Sequence, residues 1–261
     1  MGVDIGSVTS KAVILAGNKI LSWFIASSGG KLSTTTSEVI DQVLNKAGLS
    51  TTDISYVIAT GYGAANVSSA NESAVDISCN GTGISYLFPS VRTVVDIGGQ
   101  FSRAFRIDKE GRVLSFVLSE KCAAGSGRLL KVIARVLQVD VEDLGELSMK
   151  SRHKVDFTTG CAVFNETEAV SRIAEGALKE DIAAGVNHTL ATKVQSLIER
   201  LVFQPELALV GGGAKNTGLV KAIEAVSGKN VVVPEEPQIV AALGAALLAK
   251  NRIERKPTGG K

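Results

Sequence analysis

The sequence lacks the features of membrane-spanning and disulfide-rich proteins. Its 261 residues include three cysteines, five prolines and one tryptophan, and no apolar run approaches the roughly 18 residues that span a bilayer. The amino terminus enters a strand-like segment at once, without a signal-peptide pattern. Three cysteines at spacings that fit no disulfide framework predict reduced thiols or metal ligands. We therefore expect a cytoplasmic protein with no membrane partner.

The sequence also has little excess charge of either sign. The net charge is +2, and the basic residues are scattered along the chain. This pattern offers no concentrated basic surface for nucleic acid, so we predict no nucleic-acid partner. With 45% hydrophobic residues and 27 glycines, the composition is typical of a globular protein with a large core.

An internal repeat indicates how the chain is organised. The segment VDIGSVTSKA at residues 3–12 recurs as VDIGGQFSRA at residues 95–104, with six of ten positions identical and Lys11 matched by Arg103. In each copy a β-branched run ends in Asp-Ile-Gly, turns on small residues and enters a second strand, which predicts a β-hairpin. The repeat therefore predicts two similar lobes in one chain.

Periodicity supplies the remaining elements of an α/β fold. Further strands are predicted at residues 20–27, 56–60, 113–119, 207–210 and 230–233. Helices are predicted at residues 37–47, 126–138, 162–176, 181–203, 218–227 and 238–251. We expect each lobe to combine a mixed sheet with helical cover. The predicted divisions are an amino-terminal lobe at 1–90, a carboxy-terminal lobe at 91–252 and a polar tail at 253–261.

The two hairpins have the chemistry of phosphate sites. Asp4 and Asp96 each end a strand just before a glycine turn. Backbone N–H groups in such a turn bind anions, and the adjacent aspartate can hold Mg²⁺ directly or through water. A third glycine cluster, VGGGAKNTG at 210–218, lies between a predicted strand and helix. None fits the Walker or dinucleotide-binding pattern. One such turn alone is more often an ordinary hairpin, but the repeat and third cluster favour a nucleotide site.

Several motifs carry a family resemblance. GVDIGSVTSKAVIL, VVDIGGQ, LVGGGAKN and ALGAALLA, in this order, resemble the phosphate-1, phosphate-2, adenosine and connecting motifs of the actin, hexokinase and Hsp70 superfamily. More narrowly, IATGYG, KCAAGSGR and GCAVFNETEAVS are similar to motifs of the activators of 2-hydroxyacyl-CoA dehydratases. These belong to the BadF/BadG/BcrA/BcrD ATPase family, which includes ATPase subunits of benzoyl-CoA reductase. The resemblance implies two ribonuclease H-like lobes with the nucleotide between them.

The resemblance also implies roles for individual residues. Asp4 and Asp96 would handle Mg²⁺ and the attacking water, and Gln100 would orient that water. The residues implied to contact the phosphates of ATP or ADP are Gly6, Ser7, Val8, Thr9, Ser10, Lys11, Gly98, Gly99, Gly125, Ser126 and Gly127. Those implied to frame the adenosine are Gly211, Gly212, Gly213 and Gln238.

Two cysteines precede predicted helices, where unpaired N–H groups and the helix dipole favour thiolate. Cys122 and Cys161 cannot alone complete a four-thiolate cluster, whereas a twofold dimer presents four sulfurs. The resemblance implies such a 4Fe-4S cluster at a homodimer interface. The glycines after Cys122 would then couple nucleotide state to cluster geometry. The alternative is that both cysteines are small buried residues; for Cys79, on an amphipathic helix, we favour that structural interpretation.

The implied activity is ATP-driven electron transfer. A ferredoxin or flavodoxin would donate the electron, and the acceptor would be an iron–sulfur enzyme: a dehydratase, a benzoyl-CoA reductase-like enzyme or a double-cubane-cluster protein. The chain departs from the family at Phe101, where aspartate is usual, and at Asn165, where alanine is typical. Two other hypotheses stay open. One is a sugar kinase of the same fold, acting for example on N-acetylglucosamine; the other is a nucleotide-binding regulator without turnover.

Overall fold

The computed structural model describes residues 1–119, 125–158 and 161–255, apart from the side chain of Val163. The strands are β1 (Gly2–Ile5), β2 (Thr9–Ala16), β3 (Lys19–Ser27), β4 (Ile58–Thr60), β5 (Glu72–Ser73), β6 (Thr93–Ile97), β7 (Ser102–Ile107), β8 (Val113–Leu118), β9 (Leu207–Val210) and β10 (Val231–Val232). The helices are α1 (Leu32–Ala47), α2 (Asp76–Leu87), α3 (Gly127–Leu137), α4 (Leu144–Ser148), α5 (Ala162–Ala174), α6 (Lys179–Glu199), α7 (Thr217–Ser227) and α8 (Val240–Arg255). Within the described ranges, no helix is long and apolar enough to cross a membrane.

The chain forms two compact units. The first comprises Met1–Ser90, Ile107–Val113 and Gln238–Lys261, and the second comprises Val91–Arg106 and Leu114–Pro237. Each unit contains one five-stranded mixed sheet. The strand orders are β3-β2-β1-β4-β5 and β10-β9-β6-β7-β8. Read from opposite ends, these orders are the same, so the two similar lobes predicted from the repeat are confirmed.

The sheet of the first unit is covered by helices on both faces. β1 pairs antiparallel with β2 and parallel with β4. Val3, Ile5 and Ala12 pack with Val39 and Val43 of α1. Val13, on the alternate side of β2, packs with residues of α8. Because strand side chains alternate between faces, these two clusters bury both sides of the sheet.

The second unit has a larger helical layer. β6 pairs antiparallel with β7 and parallel with β9. Val95 and Ile97 of β6 belong to one core cluster with apolar residues of α3 and α6, including Leu129, Val186 and Leu190. This layer holds the start of α3 beside the β6–β7 hairpin.

The last helix lies in a different unit from the one we predicted. We assigned residues 238–251 to the second lobe, but α8 packs against α2 in the first unit. A side chain on Gly244 would overlap the carbonyl oxygen of Cys79, and one on Gly83 would overlap that of Val240. Glycine at these positions lets the helix backbones come into direct contact. Cys79 is fully buried at this crossing.

Other differences from the prediction are local. α1 begins at Leu32, five residues before the predicted start at 37, because buried Thr35 and Thr36 continue its inner face. Both hydroxyls bond backbone carbonyls, which satisfies them without solvent. α6 ends at Glu199, four residues before the predicted end at 203. The short elements α4 and β5 were not predicted.

One carboxylate near the start of α6 makes the second unit sensitive to acid. Asp181 accepts hydrogen bonds from the Ser151 hydroxyl at 2.6 Å and from the backbone N–H groups of Arg152 and His153 at 3.2 Å. These bonds, that of Ser151 foremost, lower the pKa of Asp181 from its usual value. Their stabilisation is therefore complete above a pH of about 4, the unfolded pKa of aspartate. It is lost as pH falls through the lower folded value.

We therefore expect Asp181→Asn to flatten the dependence of unfolding free energy on pH below about 4. Urea unfolding at a series of pH values measures this dependence. The matched control is Asp143→Asn, an acid that makes no side-chain cap at the start of α4. Equal pH dependence in the wild type and Asp181→Asn would contradict the assignment.

Candidate functional site

The carboxylate that ends the first strand of each hairpin is held by a cation on the facing strand. Asp4 lies opposite Lys11 in the β1–β2 register, and Asp96 lies opposite Arg103 in the β6–β7 register. Lys11 Nζ is 2.9 Å from Asp4 Oδ2. Arg103 donates to Asp96 Oδ2 from Nε at 3.0 Å and from Nη2 at 2.7 Å. Both aspartates are less than a tenth exposed. The repeat thus builds two equivalent, mostly buried ion pairs.

Phe101 covers the second of these pairs. The Arg103 guanidinium carbon lies 5.7 Å from the centre of the Phe101 ring, within cation–π range. Phe101 stands where the family usually has aspartate. In this chain an aromatic ring, not a second carboxylate, therefore shields the cation that holds Asp96.

A glycine turn packs directly over each carboxylate. Gly61 follows β4 with φ of +84°, and Gly211 follows β9 with φ of +82°. A Cβ atom on Gly61 would overlap Asp4 Oδ1, and one on Gly211 would lie 2.5 Å from Asp96 Oδ1. This glycine turn is a second repeat that we did not predict, although Gly-x-Gly-Ala-x-Asn occurs at both 61–66 and 211–216. Its offset is 150 residues, against 92 for the hairpins, so a search for one constant offset passes over it.

We expect Gly211→Ala to reduce the ATP turnover that the family resemblance implies by about 10²-fold, because the added methyl displaces the Asp96 carboxylate. A second cost, about 1–2 kcal/mol of stability, comes from forcing a positive φ on alanine. Steady-state ADP release and urea unfolding separate the two effects. Gly176→Ala is the control, since Gly176 has φ of +89° but no atom near its Cβ position. Equal turnover in both variants would contradict a role for the Asp96 position.

The β1–β2 turn contains some residues that are accessible to solvent and others that are held by hydrogen bonds. The Gly6 N–H donates to the Thr9 carbonyl at 3.1 Å, and the Ser28 hydroxyl donates to the Gly6 carbonyl at 2.6 Å. Ser10 is fully buried, and its hydroxyl bonds that of Ser28. Ser7 is exposed, whereas Val8 and Thr9 are half-buried. Of the predicted phosphate contacts in this turn, Ser7, Val8 and Thr9 are therefore accessible. Ser10 is buried, and its hydrogen bond to Ser28 stabilises the turn.

The β6–β7 turn is bonded to the amino terminus of α3. The Gly98 N–H donates to the Phe101 carbonyl at 3.1 Å, closing the turn. The Gly98 carbonyl accepts from the Gly127 N–H at 2.9 Å. The Ser102 hydroxyl donates to the Gly125 carbonyl at 2.5 Å. Two predicted phosphate-binding segments, 98–99 and 125–127, are thus one bonded unit.

The other residues predicted for this turn differ in exposure. Gln100 is exposed and Gly99 is half-buried. Ser126 is fully buried and caps α3, its hydroxyl accepting from the Arg128 N–H at 3.3 Å. Gln100 is therefore accessible to a water molecule, whereas the Ser126 side chain is engaged in the helix start.

The third glycine cluster forms a tight turn after β9. Gly212–Lys215 is a 3-10 helix, and the Gly211 N–H donates to the Pro237 carbonyl at 3.0 Å. A side chain on Gly213 would overlap that of Ile97. Gly212 is exposed. Gln238 begins the last segment of the first unit.

Of the two predicted metal ligands, Cys122 lies outside the described residues. Cys161 is half-buried and occupies the N-cap position of α5, with extended backbone angles and a side chain that does not cap the helix. α5 packs against α3, the helix that begins five residues after Cys122 in the sequence. The helices that follow the two predicted ligands are therefore neighbours in the second unit.

Thr158, three residues before Cys161 in the sequence, is tied to α5. The Glu168 carboxylate accepts from the Thr158 N–H at 3.1 and 3.2 Å and lies 3.5 Å from Arg172 Nη2. Glu168 therefore holds Thr158 next to α5. Across the described ranges there is no group of three or more histidine, cysteine, aspartate or glutamate side chains that could hold a metal ion. The hypothesis requires two cysteines from each chain.

These features define the class of protein. The fold is that of the α/β ATPases of the actin, hexokinase and Hsp70 type, with two sheets of equal strand order and a carboxylate beneath a glycine turn in each. The structure of the activator of 2-hydroxyisocaproyl-CoA dehydratase from Clostridium difficile with bound ADPNP matches with a TM-score of 0.92 at 39% identity. That match covers 99% of this chain and 98% of the other.

A second solved structure and a related sequence also match this chain along most of its length. Component A of (R)-2-hydroxyglutaryl-CoA dehydratase from Acidaminococcus fermentans matches with a TM-score of 0.94 at 35% identity, covering 97% of this chain and 98% of that one. The 2-hydroxyisocaproyl-CoA dehydratase activator of Clostridioides difficile is 41% identical over 249 residues, which are 95% of this chain and 94% of the relative. The BadF/BadG/BcrA/BcrD ATPase family model matches residues 1–249. The chain belongs to this ATPase family.

Proposed function

We propose that this chain is the ATP-dependent activator of a 2-hydroxyacyl-CoA dehydratase or a similar iron–sulfur enzyme. Two copies share one 4Fe-4S cluster through Cys122 and Cys161 of each, and ATP hydrolysis drives a low-potential electron into the partner enzyme. A ferredoxin or flavodoxin supplies the electron. Family membership and relatives described as dehydratase activators support this proposal over a sugar kinase or a regulator without turnover.

One observation carries the proposed coupling. The Gly98 carbonyl and the Gly127 N–H are 2.9 Å apart, and the Ser102 hydroxyl bonds the Gly125 carbonyl. A displacement of the β6–β7 turn by a phosphate therefore acts directly on the start of α3. Cys122 lies three residues before Gly125 in the sequence. ATP can drive electron transfer only if the nucleotide-bound states of the protein differ in affinity for the partner enzyme or for the reduced cluster. The hydrogen bonds between the β6–β7 turn and the start of α3 would provide a physical link between the nucleotide and the segment that follows Cys122.

The two carboxylates have the chemistry that ATP hydrolysis needs. Asp4 and Asp96 are positioned by Lys11 and Arg103, so their oxygens are fixed before Mg²⁺ arrives. In our proposal each carboxylate would be able to hold Mg²⁺ directly or through water, and Asp96 with the exposed Gln100 would orient the attacking water. The Lys11 ammonium then interacts with phosphate as well as with Asp4. The glycine turns let the backbone approach the nucleotide closely.

The surroundings of Cys161 fit an iron–sulfur ligand. The sulfur is at the positive end of a 13-residue helix, which favours thiolate. The thiol does not serve as a helix cap, and the side chain is partly accessible. A 4Fe-4S cluster would supply a one-electron carrier of low potential. Cys161 would bind it, α5 would position the sulfur, and Glu168 holds Thr158 next to the helix.

We expect Cys161→Ala to abolish MgATP-dependent reduction of a purified 2-hydroxyacyl-CoA dehydratase, because each chain loses one of its two thiolate ligands. The measurement is anaerobic dehydratase activation by reduced protein, with and without ATP. Cys79→Ala is the control, since Cys79 is buried between α2 and α8. Undiminished activation by Cys161→Ala would contradict the proposal. Sugar-dependent ADP release from an iron-free wild type would favour the kinase hypothesis instead.

A further inference from the structure

The inner face of α5 contains an amide group without a partner. Ala162, Asn165 and Ala169 lie on this face, and Asn165 is fully buried. Neither its carboxamide oxygen nor its nitrogen has a hydrogen-bond partner in the part of the chain that the structure describes. A carboxamide offers two donors and an acceptor, and native proteins leave few such groups buried and unbonded. The position therefore calls for a partner beyond the described residues of this chain.

The helix geometry directs this amide toward Cys161. The Asn165 N–H donates to the Cys161 carbonyl at 2.9 Å, so the two residues are one helical turn apart. Residues four apart share a helix face, and helical side chains lean toward the amino terminus. The first N–H groups of a helix also lack intrahelical partners. The buried donor and these N–H groups thus converge on the end of α5 that carries the cysteine.

The neighbouring side chains on this face offer the amide no hydrogen bond. Ala162 and Ala169 flank Asn165 on the buried face and contribute only methyl groups. Phe164, by contrast, is 63% exposed and points away from that face. A site at this helix end therefore combines a thiol, a helix amino terminus and an amide donor that is shielded from water. These groups suit an anionic sulfur ligand.

We propose that Asn165 donates a hydrogen bond to the sulfur set that Cys161 holds, either its own thiolate or an inorganic sulfide of the bound cluster. This inference rests on the proposed function. Reduction adds negative charge to the sulfurs, so an N–H donor stabilises the reduced form more than the oxidised form. Asn165 therefore raises the reduction potential of the cluster, which makes it a positioning and tuning residue.

The first test uses iron-free protein and needs no activity. We expect Asn165→Ala to lower the thermal unfolding midpoint by less than the matched control does, because both variants leave a cavity but only the control also breaks hydrogen bonds. The matched control is Asn187→Ala, a residue equally buried on α6. Asn187 bonds Ser148 Oγ at 2.9 Å and exchanges bonds with Asn216 at 3.0 and 3.3 Å. Its loss should lower the midpoint. An equal decrease in Asn165→Ala would overturn the inference, since it would indicate a structural partner such as a buried water.

The second test measures the potential of the loaded dimer. Dithionite titration followed by EPR should give a more negative midpoint potential in Asn165→Ala than in the wild type, at equal iron content. Asn165→Leu, a residue of similar shape without the amide donors, should shift the potential in the same direction. An unchanged potential in Asn165→Ala at full iron content would overturn the inference and leave the proposed function intact. A wild-type dimer that binds no iron would overturn the proposed function itself.

Discussion

Asp96→Asn is expected to lower the rate of ATP hydrolysis by about 10²–10⁴-fold, the usual range for removing a residue that handles the reacting water. The amide binds Mg²⁺ more weakly than the carboxylate and cannot accept a proton from water. Asp96 is the penultimate residue of β6, lies beneath Gly211 and is 8% exposed. Steady-state ADP release at saturating MgATP measures the effect.

Asp108→Asn is the matched control for this variant. Asp108 also accepts from an arginine in a hairpin, with Arg112 Nε at 2.9 Å, but that arginine is 74% exposed. We expect turnover by Asp108→Asn to equal that of the wild type. Asp96→Glu, which keeps the charge beside Arg103 and shifts the carboxylate by one methylene, should also be impaired. Wild-type turnover by Asp96→Asn would exclude Asp96 from the hydrolytic site.

Arg103→Met is expected to destabilise the second unit by about 3–5 kcal/mol, because it leaves the Asp96 carboxylate buried without its cation. The Arg103 side chain is 6% exposed, and two of its nitrogens donate to Asp96 Oδ2. Phe101 would also lose the guanidinium beneath its ring. The measurement is the free energy of unfolding in urea.

The control for this prediction is Arg112→Met, which removes exposed ion pairs with Asp108 and Glu110 that contribute little to stability. The double variant Asp96→Leu/Arg103→Met should recover part of the stability, since both charges are removed together. A loss of less than 1 kcal/mol in Arg103→Met, about that of an exposed pair, would contradict the account of a buried, positioned carboxylate.

The hairpin repeat explains why the sheets could be predicted from the sequence. Strand-turn-strand patterns are local, and the recurrence of VDIG at Val3 and Val95 indicated that both sheets are built alike. The placement of α8 could not be predicted in this way. Its apolar face fits any sheet, and the backbone contact between Gly244 and Cys79 joins residues 165 positions apart.

Part of the candidate site could be predicted from the sequence, because it lies in the repeated hairpins. The repeat identifies Asp4 and Asp96 as candidate site residues. Which cation pairs with each of them depends on the strand register. A hairpin that turns between Ile5 and Ser10 places Asp4 opposite Lys11, so the position of the turn could have predicted that pair. The Gly61 turn was missed because its repeat has another offset. The orphaned amide of Asn165 has no sequence signal, since its burial depends on how α5 packs against the helices around it.

Iron content per chain after anaerobic purification, combined with the molecular mass in solution, tests the central claim most directly. That claim is that two copies of this chain pool their cysteines around one cluster. The account predicts a dimer with about four irons per two chains, an EPR signal after one-electron reduction, and loss of both iron and signal in Cys161→Ala. An iron-free wild type, a monomer that retains iron, or a Cys161→Ala variant with unchanged iron content would contradict it.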